Sequence, residues 1–190
     1  MKIKVVLLTL LLIAVSQAGE ITRMKYNNPG LVVDLGVGLW AWPLPVDYDG
    51  DGDNDLLVSC PSKPYSGVYF FENKEGNIKF PRFEPPVILG PTSRNMQPSY
   101  VGDKVRILIP GFELIDYRDA GFAKKVKIFE KDNIHPTKIR ANQWRYCDYE
   151  NDGDLDLIVG VGDWTDYGWD NAFNEKGEWT RGPLHGYIYL

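Results

Sequence analysis

Three observations predict an all-β fold built from repeated small sheets. The first is an acidic nine-residue pattern that occurs twice. It reads Asp47-Tyr48-Asp49-Gly50-Asp51-Gly52-Asp53-Asn54-Asp55 and then Asp148-Tyr149-Glu150-Asn151-Asp152-Gly153-Asp154-Leu155-Asp156. The second is the apolar run directly after each copy (Leu56-Leu57-Val58-Ser59 and Leu157-Ile158-Val159-Gly160), with turn residues behind it, which is the mark of a strand. The third is that no stretch sustains a helical period, while 19 Gly and 13 Pro suit short strands joined by turns.

The chain starts with a segment that stands outside this pattern. Lys2 and Lys4 form a positive start, Val5 to Val15 an apolar core, and Ser16-Gln17-Ala18 a small-residue cleavage site. Eleven residues are too few to cross a bilayer as a helix. Residues 1–18 therefore read as a signal peptide, leaving a mature chain of 19–190 that is secreted or otherwise extracytoplasmic and has no transmembrane segment. The formal net charge of −5 is concentrated in the two acidic loops, and no basic run is present, so nucleic acid is not an expected partner.

The acidic pattern suits a hard cation. Carboxylates at positions 1, 3, 5 and 9, a backbone carbonyl at 7 and Gly at 6 can supply the six to eight oxygens that calcium takes. The glycine allows the sharp turn that aims both halves of the loop at one point. Without a cation, several carboxylates would repel one another across a few ångströms. The competing reading is an Asp/Gly-rich hairpin turn with no metal; repetition of the pattern in the same context favours two calcium sites. An EF-hand is excluded because it needs a bidentate Glu at position 12, where this chain has Val58 and Val159, and because it lies between helices. Ligands that fill the coordination sphere make the ion structural rather than catalytic, with binding coupled to folding.

A third, degenerate copy is expected between the two loops. Asp55-Leu56-Leu57-Val58 aligns with Arg106-Ile107-Leu108-Ile109 and again with Asp156-Leu157-Ile158-Val159, at spacings of 51 and 50 residues. The middle loop, Pro98 to Arg106, has lost its ligands and should bind no calcium. Upstream strands are expected at Leu39-Trp40-Ala41-Trp42 and Gln143-Trp144-Arg145-Tyr146, and downstream ones at Val68–Asn73, Val126–Glu130 and Tyr187–Leu190. A period near fifty with several strands in each is what propeller blades show. The expectation is about three four-stranded blades, roughly 31–90, 91–140 and 141–190, of an incomplete β-propeller.

The D-x-D-G-D-G-x-x-D-L pattern at 47–56, together with the later strand Gly67-Val68-Tyr69-Phe70-Phe71-Glu72-Asn73, resembles the FG-GAP/VCBS repeats of integrin-α-like β-propellers. The resemblance is specific at 47–55 and 148–156 and weak at 98–130. It implies that calcium lies between two strands of a blade, held by Asp47, Asp49, Asp51 and Asp55 and by Asp148, Glu150, Asp152 and Asp156. Asp53 and Asp154 would contribute backbone oxygens. Glu150 departs from the pattern, being longer than Asp. Propellers close with four to eight blades, so the resemblance also implies either the remaining blades of a longer chain or self-association.

Binding residues are expected in an insertion of the third repeat. Trp164, Tyr167, Trp169 and Trp179, interleaved with polar residues, could offer flat faces to sugar rings, or could simply pack as a decorated hairpin. Polysaccharide or an extracellular protein is the expected partner. The alternative is the N-terminal part of a propeller-type polysaccharide-degrading enzyme, lyase-like, into whose site His185, Tyr167, Arg181 and Lys176 could be drawn. No catalytic residue is singled out, and His135, before Pro136, reads as a surface turn residue. Nucleophile-elbow, phosphate-loop and dinucleotide motifs are missing from the sequence. Cys60 and Cys147 sit at different places in the repeat, so two buried free thiols are expected rather than a bridge.

Overall fold

The computed structural model describes residues 37–130, 138–167 and 172–190. Residues 1–18, expected to be a signal peptide, and His135 therefore lie outside the described residues. The fold is all-β, with three antiparallel sheets and no closed barrel. The first sheet is a meander of β1 (Trp42–Val46), β2 (Asp55–Cys60), β3 (Gly67–Phe71) and β4 (Val87–Gly90). The second is a meander of β5 (Gln97–Val101), β6 (Lys104–Ile109), β7 (Phe112–Leu114) and β8 (Lys125–Lys127), with a single turn of helix, α1 (Tyr117–Ala120), between the last two. The third holds β9 (Ile139–Cys147), β10 (Asp156–Asp163) and β11 (His185–Tyr189), three strands rather than four among the described residues.

Several sequence expectations shift. The strand before the first loop starts at Trp42 rather than Leu39, and runs through Pro43 and Pro45. It tolerates both prolines because β1 is an edge strand, where missing donors cost little. Pro98 to Arg106 is not a loop at all. Those residues are β5 and the start of β6, joined by a two-residue turn at Gly102-Asp103, with Ser99 paired to Arg106. The ligands are missing together with the loop. Val126 lies in the fourth strand of its sheet, and the counterpart of β3 is Phe112–Leu114.

The sheets stack through alternating faces. Leu57 of β2 and Val68 of β3 point into a core shared with Met96, Ile107, Ile109, Leu114 and Phe122 of the second unit. On β6 the residue between Ile107 and Ile109, Leu108, points the other way and packs against Trp144, Val159 and Val161 of the third sheet. Leu57 and Leu108 both lie on the second strand of their sheets, and each points at the sheet that follows. Among the described residues no sheet lies against the other face of the first sheet, which is covered by its own chain. Val58, Cys60, Tyr69 and Phe71 are covered there by Phe83 and Val37. Among the described residues no sheet covers the far face of the third sheet, where Ile188 is 81% exposed.

Both cysteines are free; Cys60 is buried and Cys147 half-buried. Burial pushes the Cys147 thiol up from its ordinary value, and the Asp156 and Asp148 carboxylates add to the rise. Among the described residues, no helix is long and apolar enough to cross a membrane.

Candidate metal site

The two acidic loops close the hairpins β1–β2 and β9–β10, which places them at equivalent ends of the first and third sheets. Their internal bonding repeats. The position-6 amide donates to the first carboxylate in both, Gly52 to Asp47 Oδ2 at 3.2 Å and Gly153 to Asp148 Oδ2 at 3.1 Å. The position-7 amide donates to the position-5 carboxylate, Asp53 to Asp51 Oδ1 at 3.1 Å and Asp154 to Asp152 Oδ1 at 2.9 Å. The position-2 amide donates to the position-9 carboxylate, Tyr48 to Asp55 Oδ2 at 2.9 Å and Tyr149 to Asp156 Oδ2 at 2.7 Å. Positions 4 and 6 take positive φ in both copies: 88° and 96° at Gly50 and Gly52, 58° and 93° at Asn151 and Gly153. One backbone conformation serves both sequences.

In the first loop, ligand-type oxygens of Asp47, Asp49 and Asp55 lie within 4.8 Å of one another. Asp53 is only 7% exposed, and its Oδ1 has no hydrogen-bond partner. Burial raises the Asp53 carboxyl above its ordinary value, and the Asp51, Asp49 and Asp47 carboxylates push it further; Asn73 opposes the rise. Burial likewise raises Asp55, against bonds from Asn73 and Tyr48 that lower it. An orphaned buried carboxylate oxygen among clustered acids, an all-oxygen donor set, fits a hard divalent cation. Such a cation would supply the positive charge that the loop's own residues do not.

The second loop differs at Glu150. In the first loop, Asp49 Oδ1 accepts from the Asp51 amide at 3.1 Å. In the second, the Asp152 amide turns to Asp148 Oδ1 at 3.0 Å, leaving the longer Glu150 outside this bonding. Asp152 and Asp154 are exposed and Asp156 half-buried. Among the described residues, the compact three-acid cluster occurs in the first loop only.

Several supports of the first loop are invisible in the acidic pattern. The Asn73 amide donates to Asp55 Oδ1 at 2.9 Å, and its side chain donates to the carbonyls of Asn54 and Gly76 at 3.2 and 3.1 Å. Asn77 donates to the Gly52 carbonyl at 3.1 Å. From the second sheet's helix, Arg118 donates to the Asp47 carbonyl. Tyr48 packs on Phe70 and Phe122, which ties the loop to the neighbouring core. Its counterpart Tyr149 is 65% exposed.

The aromatic insertion packs largely on itself. Tyr167 stacks on Trp179 at 4.1 Å between ring centres, with Trp164 edge-on to Tyr167 and Phe173 edge-on to Trp179, each at 5.0 Å. Trp169 falls outside the described residues. His185 meets Asp166 at 3.0 Å and has no hydrogen bond or ion pair to Arg181 or Lys176. No family model matches the chain, and neither the curated proteins nor the solved structures provide a match.

Proposed function

We propose that this chain is a secreted calcium-binding module of the FG-GAP/VCBS kind, a segment of β-propeller that binds polysaccharide or an extracellular protein. Calcium is structural in this reading, one ion in each acidic loop. The observation that carries it is the duplicated loop conformation, together with the cluster of Asp47, Asp49 and Asp55 and the unpartnered, buried oxygen of Asp53 in the same loop. The head-to-tail packing of consecutive meanders supports the propeller-like part. Ile188 is the repeat equivalent of Val68, which is fully buried against the next sheet. The open third face is thus suited to another blade, from a longer chain or from a second copy.

Calorimetry tests the metal. Calcium titrated into the chain should give heat for two sites, with affinities around 10⁻⁴–10⁻³ M as in other extracellular modules. The double variant Asp49→Ala, Asp152→Ala should lose that heat, and equal heats from both proteins would sink the assignment. N-terminal sequencing of the exported chain should begin near Gly19; a retained Met1 would contradict secretion by cleavage.

The contact between His185 and Asp166 favours a second reading, part of a polysaccharide lyase. A carboxylate can orient a histidine to act as a base. New absorbance from unsaturated uronates, lost in His185→Ala, would support it, and silence across a panel of acidic polysaccharides would end it.

A further inference from the structure

The first acidic loop closes a hairpin of the first sheet, and α1 joins two strands of the second, yet the two hold each other through consecutive residues. Asp47 turns its carboxylate into the loop, where Oδ1 accepts from the Gly50 amide at 2.7 Å and Oδ2 from the Gly52 amide at 3.2 Å. Its carbonyl serves α1 and accepts from Arg118. Tyr48 divides its groups in the same way. Its amide donates to Asp55 Oδ2 at 2.9 Å inside the loop, while its hydroxyl donates to the Arg118 carbonyl at 3.4 Å. One residue of α1 thus gives a bond to Asp47 and takes one from Tyr48.

α1 has little of its own to keep its shape. It is a single turn, none of its residues is buried, and no side chain caps its start. Asp116 before it has φ of 51° and Phe122 after it φ of 65°, both in the left-handed region without being glycine. Such backbone persists only where its surroundings hold it. Part of that hold comes from the first sheet. Phe122 is buried and stacks on Tyr48, with 6.5 Å between ring centres and 13° between planes. A Cβ on Gly90 of β4 would stand 2.0 Å from the Gly121 carbonyl oxygen, so the end of the turn is pressed against that strand. The second loop lacks this arrangement. Tyr149 keeps the amide bond to Asp156 at 2.7 Å, but it is exposed and stacks on no ring among the described residues.

We propose that Arg118 and Tyr48 are positioning residues that couple cation binding in the first loop to the docking of α1, and with it the second sheet, on the first. Residues 47 and 48 supply the position-1 carboxylate and the amide that orients the position-9 carboxylate. Bracing these two residues from the α1 side therefore preorganises the loop and lowers the cost of ordering it on binding. By linkage, whatever affinity the docked turn adds to the loop, binding in the loop returns as stability of the docked turn. The Arg118 charge works against this, since a cation near a cation site opposes binding, but its side chain is exposed and water and salt screen it. Bracing sets the sign. The coupling rests on the calcium reading above and adds to it an asymmetry: the first loop is a latch between sheets, and the second serves its own hairpin.

The test uses the full mature chain with one loop silenced at a time, and follows calorimetric heat with calcium together with amide hydrogen exchange. With Asp152→Ala in place, the heat belongs to the first loop. Adding Arg118→Met should weaken calcium there by about five- to tenfold. Loss of a positive charge alone would strengthen it, so a weakening reports lost bracing; Arg118 is exposed, and the variant should stay folded. Tyr48→Leu, which changes no charge, should weaken calcium comparably. Tyr149→Leu, in a chain carrying Asp49→Ala, should leave the second loop's affinity as it was. Calcium should also raise protection of the Ala120 and Ala123 amides, which donate to the Asp116 and Ala120 carbonyls, and should fail to do so once Arg118→Met is added. Unchanged affinity in both Arg118→Met and Tyr48→Leu, protection at these amides indifferent to calcium, or an equal loss in Tyr149→Leu would overturn the coupling and leave the calcium module standing. No calcium heat from the unaltered chain would overturn the module, and the coupling with it.

Discussion

Arg106 donates from Nε and Nη2 to the two carboxylate oxygens of Glu113, at 2.7 and 2.5 Å, at the position that aligns in sequence with Asp55 and Asp156. The same guanidinium lies 4.4 Å over the Tyr146 ring of the third sheet. Where the first sheet has an acidic loop, the second has a bidentate ion pair facing its neighbour. Glu113 also holds the Arg106 charge, raising its pKa above the ordinary arginine value.

Glu113→Gln should therefore destabilise the chain, because the guanidinium loses its ionic partner while still half-buried. The expected loss is about 1–3 kcal/mol, as for a charge-assisted bond in such a setting. Urea denaturation checks the value. Arg106→Asp should cost as much and should add no third calcium in calorimetry, since the two-residue turn offers no loop to fold around an ion.

Gly52 and Gly153 make a second, matched pair. A Cβ at either position would touch nothing within 4 Å, so the whole cost of Gly→Ala comes from φ values of 96° and 93°. Each substitution should destabilise by at least about 1 kcal/mol. Both should also weaken calcium binding, because the position-6 amide would leave the first carboxylate. Thermal melts with and without calcium separate the two effects.

Leu57 and Leu108 should report on the two sheet–sheet contacts. Both are fully buried and lie on the second strand of their sheets. Truncation to Ala should cost about 2–5 kcal/mol at each. A cost under about 1 kcal/mol at Leu108 alone would show that the third sheet is not docked in solution as it is here.

The cover over the first sheet has a pH dependence. Glu75 accepts from the Arg82 amide at 2.9 Å and from its Nε at 2.5 Å, and these bonds lower the Glu75 pKa below its ordinary value of 4.5. A lowered carboxylate contributes stability above its unfolded pKa and loses it as pH falls through the folded one. Protection factors in residues 72–84, corrected for the intrinsic exchange rate, should accordingly fall below about pH 4.5, and Glu75→Gln should remove that step. An unchanged acid profile in the variant would refute the assignment.

How much of this is legible in the sequence? The hairpins at 47–60 and 148–163 are, because alternating aspartates leading into β-branched residues constrain both the turn and the strand. β1 begins later than expected because Pro43 and Pro45 hide an edge strand from propensity. The expected middle loop fails because alignment on Ile107–Ile109 carries a nine-residue loop onto a segment that pairs as strand up to Val101 and Lys104. Phe112–Leu114 is too short to show a period. Asn73, Asn77 and Arg118 support the first loop through backbone carbonyls, a role any donor of the right reach could fill, so no pattern marks them. Trp40 and Arg140 meet across a separation of a hundred residues, which only the stacking of three sheets brings about.

The sealed outer side of the first sheet, set against the bare Ile188 side of the third, makes the stack directional. Opening should begin where strands have the least apolar cover, at β11, then pass to β10 and β9, and reach the Phe83-covered end last. If calcium fills both acidic loops as proposed above, they would then respond differently to its loss. The one at Asp148 lies on the end that frays first, and the one at Asp47, braced by Arg118 and Asn73, on the end that holds.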